Sequence, residues 1–288
     1  ASKMVSVVKT TFASESKIVF KYSSRYSLSF FYNDVDIGKY SIGEIWEETK
    51  RKHYFSIDLG FFTAWQTKII DPSTVGTSTT AYATTSAYTR KTYFAQTKHW
   101  CWYSNGADLG YCTSADGVSW SAFTAVRACA HGLFFSVWSN ETHIHYAYSP
   151  GGAGDTIYYR AGAMTAAGGI TWSVAEQSAL SDGNDLNMPM ICLDSSGYPW
   201  IGFYDYIGDT SWASVIKSST NTGVWTMAAG FPVNFDSWAG VGTLSVICVP
   251  LSSNRVLVVY GFVTSVVLAN LYNGGFVGQE VASTSVAN

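Results

Sequence analysis

From Thr92 onward the chain consists of short apolar-rich runs separated by breaks of Gly, Ser, Asn and Asp. Thr92 to Ala95 precedes Trp100 to Tyr103. Phe134 to Trp138 is followed by Ser139-Asn140 and then by His143 to Tyr148. Met190 to Leu193, the break Asp194-Ser195-Ser196-Gly197 and Trp200 to Tyr204 repeat the arrangement. Ser245 to Val249, Ser252-Ser253-Asn254 and Val256 to Tyr260 repeat it again. Short runs rich in aromatic and β-branched residues, bounded by turn formers, predict strands joined by tight hairpins.

A second marker follows each pair of runs. It reads Gly117-Val118-Ser119-Trp120, then Gly169-Ile170-Thr171-Trp172, then Gly223-Val224-Trp225, with Gly274-Gly275-Phe276 as a weaker copy. The aromatic residues are spaced by 52, 53 and 51 positions. Each unit therefore reads as strand, turn, strand, turn, strand, Gly turn, Trp-bearing strand. Four short antiparallel strands in about 50 residues make one blade of a β-propeller. The expected fold is all-β: four clear four-stranded blades of about 52 residues over 78–288, and an irregular β-rich region over 1–77. A β-sandwich with coincidental spacing is the alternative.

The N-terminal region lacks the repeat. Lys17 to Tyr22, Tyr26 to Tyr32 and Tyr54 to Phe62 read as strands, and Gly43 to Lys52 as at most a short helix. The region is either an atypical blade or an anchoring and assembly module. Asp71 to Ser86, rich in Thr, Ser and Ala, reads as a linker or a lead-in strand.

Ser114-Ala115-Asp116-Gly117-Val118-Ser119-Trp120 resembles the Asp box of sialidase-like, BNR-repeat propellers. Thr165 to Trp172 fits the same frame with Ala167 where Asp belongs, and Ser219 to Trp225 offers Asn221 in a shorter version. The chain also resembles uncharacterised microbial surface propellers. The resemblance covers roughly residues 85 to 283 and implies a structural role for Asp116, Trp120, Trp172 and Trp225: the Asp bonds turn amides and the Trp packs between blades. It implies no activity, because the arginine cluster, Tyr–Glu pair and acid of family sialidases have no clear counterparts. The repeat region holds only Arg90, Arg127, Arg160 and Arg255, and Tyr88-Thr89-Arg90-Lys91 lacks the family's Ile-Pro. Family propellers usually have six blades or more. Either the N-terminal residues add blades, the chain is a piece of a longer protein, or another subunit supplies the missing surface.

Composition narrows the function classes. Of 288 residues, 47% are hydrophobic and 16% aromatic but only 13% charged, with 17 Lys+Arg against 20 Asp+Glu and a net charge of −3. That balance excludes a disordered polyelectrolyte and a basic nucleic-acid binder. No apolar run reaches the ~18 residues of a membrane span. The start Ala1-Ser2-Lys3 lacks both Met and the apolar core of a signal peptide, and reads as a processed or edited terminus. Low charge and many hydroxyls suit a secreted or surface-exposed, extracellular protein.

Candidate chemistry is sparse. His143-Ile144-His145 puts two imidazoles on one strand face, but no third ligand stands at a diagnostic spacing, so no metal is expected. No Gly-rich phosphate loop opens a helix, and no cofactor is expected. Loops between second and third strands, and between blades, should share one face. They carry Asp108, Arg127, Asp155, Asp182, Asp185, Asp209, Asp236 and Trp238, carboxylates and aromatics of the kind that bind sugars. Five cysteines leave at least one unpaired. Cys101 and Cys112 are symmetric about the turn Gly106-Ala107 and should face each other as a disulfide candidate. Cys192 and Cys248 should be buried small hydrophobes.

These observations predict a non-catalytic extracellular structural or adhesion protein: a cell-surface, filament or virion component that self-associates or joins other subunits. A lectin or glycoside hydrolase using the propeller face, with glycans as ligands, is the competing reading.

Overall fold

The computed structural model describes residues 4–5, 18–23, 27–32, 35–41, 74–84, 89–151, 155–239, 244–261 and 266–284. The chain divides into two compact units, Ala1–Leu59 and Gly60–Asn288. In the first, β1 (Met4–Val5), β2 (Ile18–Ser23), β3 (Ser27–Tyr32) and β4 (Val35–Ser41) form an antiparallel meander in chain order. The helix expected over 43–52 and the strand expected over 54–62 lie outside the described residues.

The second unit is a propeller-like succession of four antiparallel sheets. Blade I comprises β5 (Thr92–Ala95), β6 (Lys98–Ser104), β7 (Asp108–Ser114) and β8 (Thr124–Ala128). Blade II comprises β9 (Phe135–Ser139), β10 (His143–Tyr148), β11 (Thr156–Met164), β12 (Ile170–Trp172) and β13 (Gln177–Ser181). Blade III comprises β14 (Asp185–Leu193), β15 (Pro199–Ile207), β16 (Thr210–Lys217) and β17 (Val233–Ala239), and blade IV β18 (Ser245–Pro250), β19 (Val256–Gly261), β20 (Val266–Tyr272) and β21 (Phe276–Thr284). The outer edge of blade II departs from the expected single strand. It is split, with β12 and β13 pairing with opposite ends of β11. Trp172 alone of the three repeat tryptophans lies on a strand; Trp120 and Trp225 precede β8 and β17 in the connecting loops.

The strands are apolar on both faces because the middle sheets have no wet side. On β10, Ile144, Tyr146 and Tyr148 join Trp100, Trp102, Tyr111 and Phe135 in the seam between blades I and II, while Ala147 points into the seam between II and III. On β15, Ile201 and Phe203 enter the II–III seam with Leu186 and Tyr159. Trp200 and Tyr204 enter the III–IV seam with Val246, Cys248 and Tyr260. Alternation of side chains across a strand thus feeds two cores at once. Between Trp200 and Tyr204, a Cβ on Gly202 would lie 2.8 Å from Val246 Cγ1 and 3.1 Å from Cys248 Sγ. Only glycine admits so close an approach of β18.

Polar bonds fix the blades' relative register. Ile191 N donates to Ser136 Oγ at 2.8 Å, and Val137 N to Arg90 O at 3.0 Å. Gln177 clasps the turn of the next blade: its Nε2 donates to Gly223 O at 3.0 Å, and its Oε1 accepts from Trp225 N at 2.8 Å. Trp225 is buried against Tyr159 of blade II, ring centroids 5.1 Å apart, whereas Trp120 and Trp172 are half-buried. Asp116 Oδ1 accepts from Val118 N and Ser119 N, each at 2.8 Å, and from Ser114 Oγ at 2.9 Å. These bonds, the Ser119 amide first, hold its carboxyl well below the usual range. Asp194 does comparable work in the first hairpin of blade III, accepting from Ser196 N and Tyr198 N at 3.0 Å and from Trp200 Nε1 at 3.1 Å.

Cys101 and Cys112 stand directly opposite across β6 and β7, and both are free thiols. Cys192 and Cys248 are fully buried in the III–IV seam. Directly opposed Cβ atoms lie about 4.5–5.5 Å apart, within reach of a disulfide after small adjustment. Treating the native protein with diamide should therefore join Cys101 to Cys112 in a peptide map; persistence of both free thiols would contradict the register. Trp200 is fully buried and hydrogen-bonded, so Trp200→Ala should cost about 3–5 kcal/mol in urea denaturation. An unchanged midpoint would remove the III–IV seam from the stabilising core.

Candidate functional site

At one end of the II–III seam the apolar packing gives way to carboxylates. Asp205 ends the inward-facing row of β15 after Ile201 and Phe203, opposite Leu186 on β14. It is 2% exposed, and its Oδ1 has no hydrogen-bond partner among the described residues. Burial chiefly, and then the nearby carboxylates of Asp182 and Asp185, push its carboxyl up to about 7 against an opposing bond from Asn184. The inter-blade loop is held by a turn bond, Asn184 N donating to Asp182 Oδ1 at 3.0 Å, and at the start of β14 Asn187 Nδ2 bonds Asp185 Oδ1. Asp155 N donates to Asn184 O at 2.9 Å, which ties the β10–β11 loop to the same place.

A second polar network lies across the I–II seam. Arg127, on the outer strand of blade I, stands 3.5 Å from the ring centre of Tyr148 and 5.0 Å from that of Tyr158. Its Nη1 meets Glu176 Oε1 at 2.6 Å, and Tyr146 OH donates to Glu176 Oε2 at 2.6 Å. Burial first, then this bond, pushes the Tyr146 phenol far up. Burial first, and least of all the carboxylate of Asp155, raises the Tyr148 phenol, against the opposing charge of Arg127.

The structure brings Asp155, Asp182 and Asp185 together, with Arg127 in the adjoining network. Asp209 accepts from Tyr206 OH at 3.1 Å, and Tyr206 packs toward the III–IV seam, on the face of β15 away from Asp205. The others stand apart. Asp236 accepts from Tyr260 OH at 2.8 Å, Trp238 is exposed on β17 opposite Ser211, and Asp108 N closes its own turn onto Asn105 Oδ1. Asp205, Glu176, Tyr146, Tyr148 and Tyr158 were absent from the sequence-level site. Asp205 carried a readable signal, as a carboxylate inside the otherwise apolar run Trp200 to Ile207.

The arginines do not converge. Arg90 covers Trp138 at 4.1 Å, and Arg160 covers Trp172 at 4.6 Å while donating from Nε to Val174 O. Arg255 bonds Ser252. With Arg127 neutralised by Glu176, the described residues hold no arginine cluster for an anionic ligand. His145 is buried and bonded to Tyr159 OH at 2.8 Å, and burial lowers its pKa to about 3. No group of His, Cys, Asp and Glu suited to holding a metal ion occurs among the described residues. Nor does a helix long and apolar enough to cross a membrane.

No protein-family model and no curated protein matches the chain. Solved structures do resemble it. An ulvan lyase of polysaccharide lyase family 25 is 11% identical over 66% of this chain and 54% of its own, with a TM-score of 0.47. Fructan 1-exohydrolase IIa from Cichorium intybus is 13% identical over 69% of this chain and 46% of its own, with a TM-score of 0.41. The Aleuria aurantia lectin is 12% identical over 95% of this chain and 76% of its own, with a TM-score of 0.45. The chain spans about half the length of the first two.

Asp205 makes stability pH-dependent. The folded state keeps a proton that the unfolded chain releases near the ordinary Asp pKa of about 4. The stabilisation is therefore complete below pH 4 and is lost as pH rises through about 7. The wild-type melting temperature should fall relative to Asp205→Asn between pH 4 and pH 8. Parallel melting curves for the two proteins would place Asp205 in an ordinary solvated setting.

Proposed function

We propose that the second unit binds carbohydrate at the loop end of the seam between blades II and III, and that its ligands are neutral glycans. The observation that carries the reading is the buried, unpartnered Oδ1 of Asp205 at the end of a dry seam. A buried oxygen without a donor is costly, and a sugar hydroxyl is a donor of the right size. Asp182, Asn184 and Asp185 stand near it and add acceptors and donors. The preference for neutral sugars rests on Arg90, Arg127, Arg160 and Arg255, each already engaged by a ring, a carboxylate or a carbonyl. This reading takes precedence over a purely structural or adhesive role, because such a role gives no reason for a buried carboxylate with one oxygen left unpartnered between blades. An extracellular setting, suggested by the low charge, is compatible with it.

A glycan array probed with the labelled chain should show binding to neutral oligosaccharides. Asp205→Asn should weaken the best hit by about tenfold or more, the scale of a buried hydrogen bond to a carboxyl group. An array with no neutral hit, or equal binding by the variant, would overturn the proposal. Appearance of new reducing ends during incubation would identify the alternative, a glycoside hydrolase that uses the same carboxylates.

A further inference from the structure

A cavity of about 410 Å³ lies away from Asp205, on the face of blade I opposite Trp100, Trp102 and Tyr111. Its volume falls in the range of small-molecule sites. One wall is the segment 75–79, which crosses the sheet. Ser78 Oγ donates to Ser104 O at 2.7 Å, and Thr79 N donates to Asn105 O at 2.9 Å. The opposite wall is Phe123, whose ring lies 4.9 Å from that of Tyr103 on the floor. Ser121 holds the loop before Phe123 in place, its Oγ accepting from Thr113 N at 2.9 Å and its N donating to Thr113 O at 2.8 Å. A Cβ on Gly76 would come within 1.9 Å of Tyr103 OH, so the segment seats itself directly over the phenol.

The lining chemistry is selective. No Asp, Glu, Lys, Arg or His contributes to it. An ionic ligand would lose its hydration with nothing to replace it. The lining instead combines hydroxyls from Thr77, Ser78, Thr79 and Ser121 with the rings of Tyr103 and Phe123. Hydroxyl groups match ligand hydroxyls, and an aromatic wall matches the apolar C–H face of a sugar ring. We propose that this cavity is a second binding site, independent of the Asp205 site, for one neutral pyranose-sized polyol.

The test uses methyl glycosides of galactose, glucose, mannose and fucose with the full chain, read by saturation-transfer NMR. At least one should bind with a dissociation constant of about 10 mM or tighter. Phe123→Ala should weaken that binding by about tenfold or more, and Ala122→Phe, at an exposed lining position, should block it by filling the space. Asp205→Asn should leave it unchanged, which separates this site from the proposed Asp205 site. Failure of all four glycosides to bind at about 10 mM would overturn the proposal. So would binding that survives Ala122→Phe, or binding abolished by Asp205→Asn while Ala122→Phe retains it. If Phe123→Ala fails to fold, Ala122→Phe alone decides.

Discussion

Burial of the middle sheets on both faces is the constraint from which the rest of the second unit follows. A strand such as β15 has no solvated side, so Trp200 and Tyr204 must find blade IV, and Ile201 and Phe203 must find blade II. Removing one blade would expose two apolar faces at about 25 cal/mol per Å² of apolar surface. This is why the charged fraction is low and why strand after strand lacks a clean polar alternation. The same constraint explains Gly202, since two sheets packed this closely leave no room for a side chain at that point.

The candidate site is a by-product of the same packing. Where a seam reaches the loop end of the blades, its last inward position still points into the interface. In blade III that position is Asp205. A carboxyl so placed is shielded from water yet close to Asp182 and Asp185, which is the physical cause of its raised pKa. Across the I–II seam, Arg127 and Glu176 solve a similar problem by pairing with each other and with tyrosines. One seam end is therefore electrostatically satisfied and the other is not, and the unsatisfied end is the one assigned to ligand.

Much of the fold was legible because its markers are local. The hairpin breaks around Asn140, Asp194 and Asn254 lie between strands that pair as the runs suggest, and the spacing of Trp120, Trp172 and Trp225 follows the blade period. The split edge of blade II was not legible, since Ser173 to Glu176 differs little in composition from a strand end. The site was half legible. Asp155 and Asp182 were found because they sit in loops, and Asp185 because it opens β14 directly after one. Asp205 was missed because it sits in a strand, and strand carboxylates reveal themselves only once the facing sheet is known. The contact of Arg127 with Glu176 spans 49 residues, and the blade I cavity needs segment 75–79 laid over β6 and β7. No periodicity encodes either juxtaposition.

The claim that shared seams hold the blades together is tested most directly by native-state hydrogen exchange across β10, β14, β15 and β16. Two-sided burial predicts that their slowest amides open together, with one common free energy equal to that of global unfolding. Distinct opening free energies for blade II and blade III, with one exchanging while the other stays protected, would contradict it.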